Sequence, residues 1–113
     1  MRDDREWLKD IHDAISHIER YALKGWEIFS QDELIQTWVS YHLQIIGEAA
    51  RNLSAKITEK YPEVPWGEII GLRNVLVHHY FDLDVEVTWD IVRNDLPPLK
   101  KQVKAILSDL GGI

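Results

Sequence analysis

Residues 34–53 read LIQTWVSYHLQIIGEAARNL, and this stretch decides the fold. Its apolar residues recur at spacings of three and four, which is the pattern of one face of an α-helix. Ser30 and Glu33 stand just before it in a capping-box arrangement, so the spacing predicts a helix that begins there. The stripe expected to face the core consists of Leu34, Ile35, Trp38, Val39, His42, Ile45, Ile46, Ala49 and Leu53.

The same periodicity continues on the N-terminal side of this helix. A first long helix is predicted, capped by Asp3 or Asp4 and ending near Gly25. Its apolar stripe comprises Trp7, Leu8, Ile11, Ala14, Ile15, Ile18, Tyr21 and Ala22.

On the C-terminal side, one or two helical turns are predicted before Pro62. Pro65 suits the first position of a helix through 67–81. Asp84 can cap a helix containing Val85, Trp89 and Val92, and Asp95 can cap a last helix with two prolines in its first turn and Gly111 at its end. No strand pattern occurs, so the prediction is an all-α bundle of four to five helices, one domain over residues 1–113.

Composition narrows the functional classes. The chain has 113 residues and no cysteine, which excludes disulfides, thiolate nucleophiles and cysteine zinc sites. Thirteen Lys and Arg against nineteen Asp and Glu give a net charge of −6, which argues against a dedicated nucleic-acid binder. The N-terminus shows no signal-peptide pattern, and no apolar run is long enough to span a bilayer, so we expect a cytoplasmic protein with no membrane partner.

Residues 73–80, RNVLVHHY, place five polar side chains among apolar ones. On a helix, Val77 and Phe81 fall in the middle of the face that also carries Arg73 and His78. An apolar pair inside a polar rim is typical of a covered surface, and a second copy of the chain is the simplest cover. We therefore expect a symmetric homodimer with this helix at the interface.

These side chains suit the cleavage of an RNA phosphodiester by its own 2′-hydroxyl. His78 has the near-neutral pKa that proton transfer needs, and the guanidinium of Arg73 can stabilise the charge that builds on the phosphate. Asn74 lies one turn from His78 and can orient its ring. No metal or other cofactor is expected. The ordinary alternative is an arginine in a surface ion pair and a histidine satisfied within the fold, a combination that occurs by chance in many helices.

The motif R-x4-H-x-Y, here Arg73, His78 and Tyr80, resembles that of HepT-like toxins of the HEPN superfamily. Four blocks match the family pattern in order and spacing: 45–54, 62–74, 76–81 and 87–99. The resemblance covers roughly residues 5 to 108. One position departs from it, because the residue between the motif histidine and tyrosine is commonly acidic or small, whereas here it is His79. Its place on the apolar face favours a core histidine over a second proton carrier.

The resemblance implies an all-α homodimer whose motif helices line a shared cleft. It also implies a metal-independent ribonuclease in which Arg73 and His78 are catalytic, Asn74 orients them and RNA is a transient substrate. HepT-like toxins are typically paired with an antitoxin, a nucleotidyltransferase of the MNT family, which can neutralise the toxin by transferring AMP to the motif tyrosine, here Tyr80.

Other polar residues are weaker candidates. His12 and His17 are five apart and have no carboxylate at zinc-ligand spacing, and His42 lies on the core stripe of its helix. Glu48 can pair with Arg73 across helices, in a role expected to be structural. Arg51 and Asn52 can border the cleft. Two function classes stay open: an RNA endonuclease toxin, and a non-catalytic helical partner and substrate of a nucleotidyltransferase, which the negative charge favours.

Overall fold

A computed structural model of the chain describes residues 2–78 and 85–111, with only the backbone described for residues 74–78. Within these ranges every regular element is helical, as predicted. The four long helices are α1 (Asp4–Ala22), α3 (Glu33–Arg51), α5 (Trp66–His78) and α7 (Leu96–Asp109). Three helices of six residues accompany them: α2 (Trp26–Gln31), α4 (Ala55–Lys60) and α6 (Val85–Asp90).

Helix α3 forms the centre of the bundle. It packs most extensively against α1 and α5, and α1 also packs against α7. The predicted stripes of α1 and α3 supply much of the core, including Leu8, Ile11, Val39 and Ile46, each fully shielded from solvent. The carboxylate of Asp4 accepts hydrogen bonds from the amide (2.8 Å) and hydroxyl (2.6 Å) of Ser54, which ties the start of α1 to the end of α3.

The beginning of α3 differs from the prediction. Residues 26–31 form the separate helix α2, and Ser30 lies inside it, where its hydroxyl donates to the carbonyl of Glu27. The N-cap of α3 is Asp32, whose carboxylate accepts from the amides of Leu34 and Ile35. The predicted capping box was wrong, because the helix begins two residues later, with Asp32 as its cap. Leu34 was also placed wrongly, since it is 83% exposed.

The C-terminal helices are joined rather than separated. A π-helical turn, Ile91–Asp95, connects α6 directly to α7, and Asp95 has helical dihedrals and makes no capping hydrogen bond, so its predicted role as a cap was wrong. The amide of Leu96 bonds to the carbonyl of Ile91, five residues back. Pro97 and Pro98 follow, and neither has an amide hydrogen to donate. The hydrogen-bonding pattern therefore changes just before the two positions at which an α-helix would lack a backbone donor.

The remaining helix ends agree closely with expectation. Asp3 caps α1 by accepting from the amide of Glu6, and Gly111 follows α7 with a φ of 74°, a conformation that favours glycine. Helix α5 begins at Trp66, one residue after Pro65. The predicted cap Asp84 lies outside the described residues. Among the described helices, none is both long and apolar enough to cross a membrane.

Candidate functional site

Arg73 lies where α5 passes closest to α3. A Cβ atom on Gly47 would meet the backbone nitrogen of Arg73 at 2.9 Å, its Cβ at 3.0 Å and the carbonyl oxygen of Ile69 at 3.2 Å. Real side chains essentially never make contacts that short, so the crossing requires a glycine at this position of α3. Gly47 therefore sets the position of the Arg73 backbone relative to α3.

The residue after this glycine holds the arginine side chain. Oε2 of Glu48 lies 2.8 Å from Nε of Arg73, so the predicted cross-helix pair is confirmed. The two side chains are 44% and 42% exposed, and a pair at this exposure adds at most ~1 kcal/mol to stability. Its main effect is to limit the orientations of the guanidinium.

The contact is an ion pair without a well-directed hydrogen bond. Oε2 of Glu48 is shielded from solvent, yet it accepts no hydrogen bond from the described residues. Nε of Arg73 is 2.8 Å away, but its N–H bond is not directed at that oxygen. The carboxylate thus attracts the arginine without using this oxygen as a hydrogen-bond acceptor.

Two polar residues at the end of α3 also contact Glu48. Nη1 of Arg51 lies 3.8 Å from the same Oε2 atom, and the Arg51 side chain is 57% exposed. The side-chain amide of Asn52 donates to the backbone carbonyl of Glu48 at 2.8 Å. Both residues predicted to border the cleft therefore contact Glu48.

An open cleft lies beside the ion pair. Its volume is about 380 Å³, and it is lined by Tyr41, Gln44, Ile45, Glu48 and Arg73. Tyr41 is 60% exposed, so an aromatic ring and a cation share one accessible surface. Sequence reasoning missed Tyr41, Gln44 and Gly47. Their spacing from Glu48 along α3 was visible, but nothing in the sequence showed that α5 crosses at this point.

The other predicted catalytic residues are only partly described. Asn74 and His78 belong to α5, the same helix as Arg73, and their side chains lie outside the described residues. His79 and Tyr80 lie outside them altogether. The structure thus places Arg73 in a cleft, and the roles of Arg73, Asn74, His78 and Tyr80 stay predictions.

His42 is a core residue, on the stripe where the sequence placed it. It is 5% exposed, and Nδ1 lies 2.8 Å from the carbonyl oxygen of Trp38. Because that oxygen can only accept, Nδ1 carries the hydrogen. Burial lowers the pKa of His42, the bond to Trp38 opposes this, and the nearby His17 ring lowers the pKa further. Across residues 2–78 and 85–111, no three His, Asp or Glu side chains are grouped so as to hold a metal ion.

Known proteins identify the family. The family described as "Ribonuclease HepT-like" matches residues 11–106. The chain belongs to the HepT-like ribonuclease family. No solved structure matches it.

Three relatives illustrate the similarity. A Methanocaldococcus jannaschii protein named "Putative RNase" is 37% identical over 93% of this chain and 97% of its own length. Another protein of that name, from Caldanaerobacter subterraneus subsp. tengcongensis, is 37% identical over 95% and 96%. The "Probable ribonuclease HepT" of Thermococcus cleftensis is 39% identical over 88% and 91%. The likeness therefore extends over nearly the whole of each chain.

Proposed function

We propose that this HepT-like protein is the toxin of a type II toxin–antitoxin pair and acts as a metal-independent RNA endonuclease. The observation that carries the proposal is Arg73, held by Glu48 at the edge of an open cleft, on the same helix as His78. A guanidinium in that setting can receive a phosphate, and membership of the ribonuclease family supports RNA as the source of that phosphate.

The reaction is an internal transfer at phosphorus. The 2′-oxygen attacks the adjacent phosphorus and the bond from phosphorus to the 5′-oxygen breaks, leaving a 2′,3′-cyclic phosphate and a 5′-hydroxyl. His78 takes the proton of the 2′-hydroxyl, and a protonated histidine supplies the proton that the 5′-oxygen needs. Arg73 stabilises the extra negative charge on the phosphate oxygens. Asn74 orients His78.

A second copy of the chain completes this proposal. Tyr41 and the half-buried Ile45 put apolar surface beside Arg73, as expected where another subunit covers the cleft. In a two-fold homodimer each copy supplies one His78, so one histidine can act as the base and its symmetry mate as the acid. Size-exclusion chromatography with light scattering should give a mass of twice 13.2 kDa.

Control by an antitoxin is the second part of the proposal. An MNT-family nucleotidyltransferase would transfer AMP from ATP to Tyr80: the phenolic oxygen attacks the α-phosphorus and pyrophosphate leaves. The bulky negative adduct, close in sequence to His78, would compete with RNA for Arg73. Intact-mass spectrometry after incubation with such an enzyme and ATP should show one added AMP on the wild type and none on Tyr80→Phe.

The alternative function is a non-catalytic partner. In that case the chain would bind a nucleotidyltransferase and serve as its substrate or accessory subunit. The net charge of −6 favours this alternative, because a polyanion such as RNA is repelled by a negatively charged protein.

One experiment separates the two. Wild type, His78→Ala and Tyr80→Phe are expressed without a partner, and growth and RNA integrity are followed, with circular dichroism as the check on folding. Under the toxin proposal the wild type stops growth and cuts RNA, His78→Ala does neither, and Tyr80→Phe folds normally. If the folded wild-type protein is harmless and leaves RNA intact, the ribonuclease proposal is wrong and the binding alternative is favoured.

A further inference from the structure

Glu48 is a single carboxylate shared by two arginines. Its Oε2 atom lies 2.8 Å from Nε of Arg73 and 3.8 Å from Nη1 of Arg51. The arrangement at Arg2 is the reverse, since that guanidinium lies 3.2 Å from Glu6 and 2.6 Å from Asp10. Among the described residues, this one carboxylate is the only ion-pair partner of both guanidinium groups, so the cluster of three side chains carries a net charge of +1 in a chain that is negative overall.

The shared oxygen also fixes where that charge lies. Arg51 follows Glu48 by three residues on α3, whereas Arg73 comes from α5, so the carboxylate links cations from two helices. Both guanidinium groups must stay near one shielded atom, which keeps them close together. Both side chains also remain exposed, at 57% and 42%, so each has surface available to a ligand.

A polyanion with regularly spaced charges fits such a pair. Planar guanidinium groups bind phosphates through two donors at once, and neighbouring phosphates of a single strand are separated by only one nucleotide. A lone phosphate would use one of the two cations, whereas a strand can use both.

We propose that Arg51 binds the phosphate next to the one that Arg73 contacts, with Glu48 holding the two arginines at a fixed separation. The substrate is then an RNA strand with at least two consecutive phosphates at this site. The inference rests on the proposed function for the role of Arg73, while the role of Arg51 in binding can be tested without catalysis.

The test measures binding to a single-stranded oligoribonucleotide whose 2′-hydroxyls are methylated, so that it cannot be cleaved. The association constant is determined by fluorescence anisotropy over a series of salt concentrations. Each phosphate contact contributes about 0.7 to the slope of log K against log salt for a single strand. Arg51→Gln should therefore make the slope shallower by ~0.7 relative to the wild type.

Two variants provide the controls. Arg51→Lys keeps the charge and should keep the wild-type slope. Arg20→Gln removes another exposed arginine, in the last turn of α1, at the other end of that helix from the contact between Asp4 and Ser54, and should also leave the slope unchanged. If Arg51→Gln and Arg20→Gln give the same slope, or if the wild type does not bind the strand, the proposal is wrong.

Cleavage of two short substrates adds a second measurement. A dinucleoside monophosphate has only the scissile phosphate, whereas a trinucleoside diphosphate has a neighbour as well. We expect Arg51→Gln to lower kcat/KM by ~10-fold on the longer substrate and to leave the shorter one unaffected. Equal losses on both substrates would overturn the assignment.

Failure of the second phosphate site and failure of the ribonuclease proposal give different results. A wild type that cuts RNA but shows no dependence on Arg51 keeps the ribonuclease and removes the second phosphate site. A wild type that leaves RNA intact, yet binds the methylated strand with an Arg51-dependent slope, keeps the site and removes the ribonuclease.

Discussion

Among the described residues, two ion pairs join helices, and they differ in how the carboxylate is used. Between α7 and α1, Nζ of Lys100 lies 2.6 Å from Oε1 of Glu19 and donates a hydrogen bond to it. Between α5 and α3, Nε of Arg73 lies 2.8 Å from Oε2 of Glu48, and that oxygen accepts no hydrogen bond from the described residues. The side chains of both pairs are between 31% and 44% exposed.

The difference shows what each pair is for. At this exposure an ion pair contributes at most ~1 kcal/mol, so neither accounts for the stability of the fold. The pair of Lys100 and Glu19 joins two helices through one hydrogen bond. The pair of Arg73 and Glu48 lies beside a cleft, and its guanidinium side chain is 42% exposed, so a ligand in the cleft could reach it.

The largest effect is expected when the cation of Arg73 is removed, with removal of the Lys100 cation as the control. Arg73→Gln should lower kcat for RNA cleavage by about 10²–10³-fold, because a preorganised donor to the phosphate is lost. Lys100→Gln should leave kcat unchanged. The free energy of unfolding of both variants should lie within ~1 kcal/mol of the wild-type value. Single-turnover cleavage and urea denaturation provide the measurements. Equal activity in the two variants would remove the distinction between the pairs.

The helix crossing under Arg73 can be disturbed without touching a charge. Gly47→Ala would force α5 away from α3, since its Cβ would meet the Arg73 nitrogen at 2.9 Å. We expect a loss of about 1–3 kcal/mol in the free energy of unfolding. Cleavage should fall by ~10²-fold, as expected when a catalytic group is displaced by about 1 Å.

Gly67→Ala is the matched control for this change. A Cβ at Gly67, in the first turn of α5, meets nothing within 4 Å. Alanine also favours a helix over glycine by up to ~1 kcal/mol, so stability should stay the same or increase. If Gly47→Ala behaves like Gly67→Ala, the close crossing does not position Arg73.

A smaller effect is expected from neutralising each carboxylate. Glu48→Gln keeps the shape of the side chain but removes the charge that orients Arg73, so kcat should fall by ~10-fold. KM should stay constant or decrease, because a negative charge near the phosphate has been removed. Glu19→Gln should change neither constant. Steady-state kinetics on one oligoribonucleotide distinguish the outcomes, and a higher KM for Glu48→Gln would contradict an orienting role.

The smallest effect concerns the core beneath the cleft. His42 has its pKa lowered from an ordinary 6.5, mainly by burial. Above pH 6.5, His42 is mostly neutral in both the folded and the unfolded chain. Below it the unfolded chain takes up the proton first, so the free energy of unfolding should decrease as the pH falls from 6.5 towards the lowered folded pKa.

Denaturant titrations between about pH 7.5 and 5.5 measure this dependence. The decrease should become smaller in His42→Leu and persist in the control His12→Gln, which alters another histidine of the bundle. A decrease of equal size in both variants would show that another group causes it.

Sequence periodicity predicted the long helices and also the short helices α4 and α6, but it missed α2. Helices α1 and α3 have 19 residues each, long enough for an apolar stripe to repeat over several turns. Helix α2 has six, and it is held by packing of Phe29 against Trp89, with ring centroids 5.0 Å apart. A contact between residues sixty positions apart leaves no local pattern in the sequence.

Part of the geometry of the candidate site was predictable from the sequence, while its chemistry stays a prediction. Residue types and spacing were enough to single out Arg73 and to suggest Glu48 as its partner. The depth of the crossing at Gly47 and the sharing of Glu48 with Arg51 depend on how two helices approach, which spacing along one chain does not determine. The catalytic roles of Arg73, Asn74 and His78, and the role of Tyr80, stay predictions.

The π-helical turn at Ile91–Asp95 has a geometric consequence for the neighbouring helices. One extra residue in a helix rotates everything beyond it by about 100° relative to a regular helix. Upstream, Trp89 contacts the rings of Phe29 and Trp26, and downstream, Leu99 and Val103 enter the core. The turn therefore sets the angle between the face of α6 that carries Trp89 and the face of α7 that carries Leu99 and Val103. Deleting one residue of the turn would change that angle and would test how much the packing of α7 depends on it.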